Sequence, residues 1–144
     1  MTRRFLVAIA LGLCVPACSD ELCGGEKLSE HPSPGGGRTA VVFQWDCGAT
    51  TGFATHVSIV EDSTTVSSSG NAFVADTNHG AGPAAAWGGP PVELDWRSAT
   101  ELDITYPEGT RTFLNQENVG GVAINYRVKA VQSSERGPAA TKHE

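Results

Sequence analysis

The stretch Arg38–Glu61, RTAVVFQWDCGATTGFATHVSIVE, decides the fold, because it holds two strand-forming runs joined by a short polar turn. Thr39 to Trp45 is a nearly continuous β-favouring run. Phe53, Thr55, Val57 and Ile59 then alternate with Ala54, His56, Ser58 and Val60, the period of two that marks a half-buried strand, with His56 on the polar face. Between the runs, Asp46-Cys47-Gly48-Ala49-Thr50-Thr51-Gly52 supplies the glycines and small polar side chains of a hairpin loop.

The same pattern recurs toward the C terminus. Asn71–Asp76 is a short strand candidate. Residues 77–91, TNHGAGPAAAWGGPP, hold little regular structure, and ordered loops of that length usually have a role. Val92, Leu94 and Trp96 alternate with Glu93, Asp95 and Arg97, and after a turn Leu102, Ile104 and Tyr106 alternate with Asp103 and Thr105, which makes a second hairpin. Arg111 to Asn118 is consistent with either a strand or an irregular crossing. Val122, Ile124, Tyr126 and Val128 form the clearest strand, with Arg127 and Lys129 on its polar face and Asp95 and Asp103 as their expected cross-strand partners. Outside residues 5–15 no segment carries an apolar period of 3.6. The reading is a single small antiparallel all-β domain, a curved sheet or sandwich of six to seven strands, over residues 38–131.

The N terminus points to a compartment. Met1-Thr2-Arg3-Arg4 is basic, Phe5 to Val15 carries no charge, and Val15-Pro16-Ala17-Cys18 follows. An apolar run this short does not span a bilayer core of ~30 Å, and a small residue precedes the presumed cut, as in a secretory signal. The order resembles a bacterial lipobox, which implies a signal peptide over residues 1–17 and lipid on Cys18. The membrane is then a partner through that lipid. Ser19 after it favours the periplasmic face of the outer membrane. Residues 18–37, rich in Gly and Pro, read as a tether, and residues 132–144 as a loose tail.

The 144 residues carry 10 Lys and Arg against 16 Asp and Glu, and removing residues 1–17 takes away two of the cations and none of the acids. The mature charge is therefore 8 − 16 = −8. An acidic balance with scattered charges argues against nucleic acid and against binding to an anionic surface. With Cys14 in the signal and Cys18 acylated, Cys23 and Cys47 remain, an even pair in an oxidising compartment, and they are expected to form a disulfide. A metal or redox pair would want C-x-x-C spacing or histidines nearby in sequence, and neither is present.

Ser33-Pro34-Gly35-Gly36-Gly37-Arg38 leading into Ala40-Val41-Val42-Phe43, the segment Asp46-Cys47-Gly48-Ala49-Thr50-Thr51-Gly52-Phe53, and Asn71-x-Phe73-Val74-Ala75-Asp76 with His79-Gly80 together resemble a group of small uncharacterised bacterial lipoproteins and secreted proteins. The likeness runs from about Cys23 to Arg127. In those relatives Cys-Gly pairs corresponding to Cys23-Gly24 and Cys47-Gly48 recur, which implies the same localisation and disulfide and carries no activity with it.

The chain lacks G-x-S-x-G, H-E-x-x-H, a phosphate-binding glycine loop and a dinucleotide fingerprint, so no catalytic residue, metal or cofactor is assigned. Thr50 and Thr51 are loop hydroxyls that act as nucleophiles only beside a base. A non-enzymatic binding module for an envelope protein or glycan is the leading expectation. Trp87 is its candidate anchor, in a loop poor in apolar neighbours, with Asp76, Asn78 and His79 at the loop's start; the other reading is that Trp87 folds back to cap the core. A small metal-dependent hydrolase using Asp46, His56, Asp76 and His79 is the alternative, and a structural envelope protein the third. Exposure of Trp87 and convergence of those four side chains separate them.

Overall fold

The computed structural model describes residues 23–48, 51–61 and 68–131. The expected signal at 1–17, Cys18 and the tail at 132–144 lie outside the described residues. The chain forms nine strands: β1 (Gly24–Pro32), β2 (Thr39–Asp46), β3 (Ala54–Val60), β4 (Phe73–Asp76), β5 (Glu93–Ser98), β6 (Glu101–Pro107), β7 (Arg111–Asn115), β8 (Asn118–Val119) and β9 (Val122–Lys129). They make a sandwich of a five-stranded sheet, in order β1-β2-β3-β4-β7, and a four-stranded sheet, in order β5-β6-β9-β8. Every pairing is antiparallel except that of β6 with β9, which is parallel.

Both expected hairpins form: β2 pairs with β3 from Thr39↔Val60 to Trp45↔Ala54, and β5 pairs with β6. The undecided run 111–118 supplies β7 and part of β8. Two strands exceed the expected six to seven. One is the two-residue β8; the other is β1, which lies in what the sequence marks as tether. Gly24–Pro32 has one apolar side chain, Leu28, so nothing in its periodicity announces a strand. Tertiary contacts decide it. β1 pairs with β2 from Gly24↔Asp46 to Pro32↔Thr39, and Trp96 of the opposite sheet donates its indole N–H to the His31 carbonyl at 2.9 Å. The Cys23–Cys47 disulfide closes the open end of that pair.

Alternation sends one side-chain parity of each sheet into a shared core. Ala40, Val42, Val57, Ile59, Phe73 and Ala75 of the first sheet meet Leu102, Ile104, Val122 and Ile124 of the second. The Tyr126 hydroxyl reaches across to the carbonyls of Ala72 and Gln116 at 3.0 and 2.9 Å, so its polar end is satisfied.

The two outer faces differ. The four-stranded sheet turns a polar ladder outward: Asp103, 2% exposed, receives Arg97 at 2.7 Å and Arg127 at 2.9 Å, while Arg97 also holds Asp95. Arg97's hydrogen bond holds the Asp103 carboxyl below the usual carboxylate range, helped by Asn125 and Arg127 and opposed by burial. Lys129 reaches Glu93 at 2.9 Å and not an aspartate. The outer face of the five-stranded sheet instead carries Val41, Phe43 and Trp45 of β2. Both parities of β2 are apolar because both of its faces are covered, which is why Ala40–Phe43 reads as an unbroken apolar run.

Candidate functional site

The register of the five-stranded sheet lines up Trp45, Ala54, Asp76 and Arg111 in one row across β2, β3, β4 and β7. The next row runs Phe43, His56, Val74 and Leu114. Between the two rows the β4–β7 register slips, leaving Phe113 as the extra residue. All of the odd-parity side chains of β2 and their row partners point outward. Ala54 is the only small side chain in its row, and the space above it is a groove of about 480 Å³. Trp45, Phe53, His56, Val74 and Phe113 wall it, and Asp76, His79 and Arg111 close its polar end.

The polar end is built by a turn and an ion pair. Asp76 Oδ1 accepts the Asn78 amide at 2.8 Å, an Asx turn that carries the chain into left-handed backbone at Asn78 (φ 51) and His79 (φ 56), then Gly80. Arg111 grips the same carboxylate with two prongs, Nε to Oδ1 at 3.1 Å and Nη2 to Oδ2. Burial pushes the Asp76 carboxyl up, but the Arg111 and Asn78 hydrogen bonds and the guanidinium charge together hold it below its ordinary range. Arg111 Nη1 faces His79 Nε2 at 3.4 Å, and its carbon lies 4.8 Å from the centre of the Phe113 ring. Phe53 and Phe113 are 40% and 58% exposed, the two exposed aromatic side chains among the described residues, and both line this groove.

His56 is not the exposed strand residue that alternation suggests. It is 3% exposed, stacked on Trp45 at 5.4 Å and 17°, and set edgewise to Phe43 at 5.3 Å. The chain returning to β4 lies against it, and Gly70 donates its backbone N–H to His56 Nδ1 at 3.0 Å. A ring that accepts at Nδ1 carries its proton on Nε2. Burial lowers its pKa from 6.5 to about 4.

Of the four side chains of the hydrolase alternative, three share the groove and Asp46 does not. On β2 Trp45 points outward, so Asp46 takes the opposite parity; its Oδ1 accepts the Gly48 amide at 2.8 Å in the hairpin turn. Asp76 is already held by Arg111, and among the described residues no three His, Cys, Asp or Glu side chains cluster in a way that would hold a metal ion.

Trp87 is no exposed anchor either. It is half-buried, and its indole N–H donates to Thr55 Oγ1 at 3.2 Å, while that hydroxyl donates to the Pro90 carbonyl at 2.7 Å. The long loop is thereby fastened to the core face of β3. The residues that sequence reasoning missed are Arg111, Phe113 and Phe53. Arg111 lies 35 positions from Asp76, and only the β4–β7 register joins them.

Fold and groove define a small disulfide-stapled β-sandwich with an aromatic-walled, polar-ended groove on one outer face. No protein-family model matches the chain, and no curated protein or solved structure is detectably similar to it.

Proposed function

We propose that this chain is a lipid-anchored extracytoplasmic binding module, non-enzymatic, acting through the outer groove of its five-stranded sheet. The carrying observation is that the two exposed aromatic rings and a fixed Asp76–Arg111–His79 end meet in one concavity. Binding sites combine apolar walls with a few fixed polar groups in this way. Trp45, Ala54, Asp76, Arg111 and Phe113 stand on paired strands, which preorganises the floor and polar end of the groove. Lipid on Cys18, kinship with small lipoproteins and a periplasmic outer-membrane position belong to the same proposal, supported by Val15-Pro16-Ala17-Cys18 and by Ser19 after it.

The test compares full-length wild type with Ala54→Trp, which fills the groove from its floor, and Val128→Ala, an exposed position on the other sheet. Each is expressed with its own N terminus in a bacterial host and purified from detergent-solubilised envelope. Protein and polysaccharide that co-purify are then measured. The expected result is a partner retained by wild type and Val128→Ala and lost by Ala54→Trp. A partner indifferent to Ala54→Trp refutes the groove as the site. Palmitate labelling abolished by Cys18→Ala tests the anchor.

A further inference from the structure

We infer that the groove takes an uncharged saccharide ring, stacked by its C–H face on Phe113 or Phe53 and held by adjacent hydroxyls at the Asp76–Arg111 pair. This rests on the groove being the binding site, and it adds the chemistry of the ligand.

The inference comes from counting what the polar end still offers. A guanidinium has five N–H donors. Arg111 directs Nε and one Nη2 hydrogen to Asp76 and one Nη1 hydrogen toward His79, which leaves one hydrogen on each terminal nitrogen without a partner among the described residues. Among the described residues, Asp76 Oδ1 accepts twice, from Asn78 and Arg111, whereas Oδ2 accepts from Arg111 alone and keeps a free lone pair. Two donors and one acceptor therefore sit side by side on one rigid pair. A hydroxyl both donates and accepts, so two neighbouring hydroxyls on a ring satisfy this set at once.

Charge selects against the other polar ligands. Asp76 and Arg111 cancel, so an anion gains little from the guanidinium and meets the carboxylate beside it, while a cation meets the reverse. The walls complete the match. Arg111 covers one side of the Phe113 ring, yet Phe113 remains 58% exposed and Phe53 40%. Exposed aromatic faces beside hydroxyl-binding groups suit a ring whose faces are C–H and whose edge is O–H. The groove's volume of about 480 Å³ lies within the ~300–1,000 Å³ of small-molecule pockets and is large enough for one or two such rings. Ala54 provides the clearance, since a larger side chain at that position would occupy the place of the sugar.

The test titrates the full chain, isotope-labelled, with cellobiose, N,N′-diacetylchitobiose and mannobiose to ~20 mM, enough to register Kd values near 1 mM. Sodium glucuronate and a neutral tetrapeptide serve as comparison ligands. Amide and indole resonances of Trp45, Ala54, Asp76 and Phe113 are followed by NMR. The expected result is saturable shifts at those residues with at least one saccharide. Ala54→Trp removes them, Phe113→Ala weakens binding roughly tenfold, and Val128→Ala on the other sheet leaves it unchanged. Phe113→Ala alters an exposed side chain, so it stays informative if Ala54→Trp folds poorly. Absence of binding by all three saccharides overturns the inference. So does glucuronate or the tetrapeptide binding more tightly than every neutral sugar; binding of the tetrapeptide lost in Ala54→Trp would leave the groove standing as a binding site while removing the sugar.

Discussion

Between pH 6.5 and 4, acidification should destabilise this domain through His56, ahead of the acid loss that the Asp76 and Asp103 carboxylates add at lower pH. Its ring is neutral in the fold because burial lowers its pKa from 6.5 to about 4. In the unfolded chain it titrates near the ordinary value of ~6.5. Between those two pH values the unfolded state binds one proton more than the native state, so stability rises with pH and falls as pH drops. The contribution is fully present above pH ~6.5, declines by about 1.4 kcal/mol per pH unit, and levels off below pH ~4. Over the whole window the loss is about 3 kcal/mol, which for a domain of this size is roughly 12–24 °C in Tm. His56→Gln is the matched control, since its amide oxygen accepts the Gly70 N–H but does not titrate in this range. Urea melts of both proteins from pH 7.5 to 3.5 would give two curves whose difference changes by about 3 kcal/mol between pH 6.5 and 4. Carboxylates titrate equally in both and cancel. Parallel curves, or a His56 ring titrating above pH 6 by NMR, would refute the account of a buried neutral imidazole.

Thr55→Val keeps shape but leaves the Trp87 indole N–H and the Pro90 carbonyl without their partner; a loss of about 1–3 kcal/mol and faster proteolysis within residues 77–91 are expected in denaturant melts and limited digestion. Cys23→Ser with Cys47→Ser opens a loop closed over a sequence separation of 24 and should cost ~3 kcal/mol, measured as a shift in the urea midpoint with little change in native NMR chemical shifts beyond β1 and the β2–β3 hairpin. At Gly70 an added Cβ would sit 2.7 Å from the Phe73 carbonyl oxygen and 3.0 Å from that of Val57. Both are backbone atoms, so Gly70→Ala is expected to cost about 1–3 kcal/mol and to disturb the His56 ring resonances, whereas Gly24→Ala, with open space at its Cβ, is expected to be neutral.

The parts of the fold legible in the sequence are those written as local alternation. Thr39–Trp45 with Phe53–Val60, and Val92–Arg97 with Leu102–Tyr106, each announce a hairpin because neighbouring strands joined by a short loop need no distant information. β1 was illegible for the opposite reason: GGEKLSEHP has almost no pattern, and its pairing with β2, the disulfide and Trp96 impose the strand on it. The site divides in the same way. Asp76, His79 and His56 are chemically capable by residue type alone, and the fold brings them to one groove. Parity alone would have removed Asp46, since Val41, Phe43 and Trp45 occupy the face opposite to it. The burial of His56 had a faint signal in those same apolar residues, which imply a covered outer face. Arg111 and Phe113 had none, because their place beside Asp76 depends on β7 crossing to the first sheet after β6 has joined the second.

That crossing sets an order in time as well as in space. A chain emerging N terminus first can assemble β1 to β4 early, yet those strands present only half a groove: Trp45, Ala54 and Asp76 are in place while the partner of Asp76 is still to come. Arg111 and Phe113 arrive with β7, which lies in sequence between β6 and β9, two strands that pair in parallel in the other sheet. Such non-local pairing is slow compared with hairpin closure. Completion of the groove therefore waits on the second half of the chain, and a product truncated before residue 111 would keep Asp76 but lack the arginine and the aromatic wall beside it.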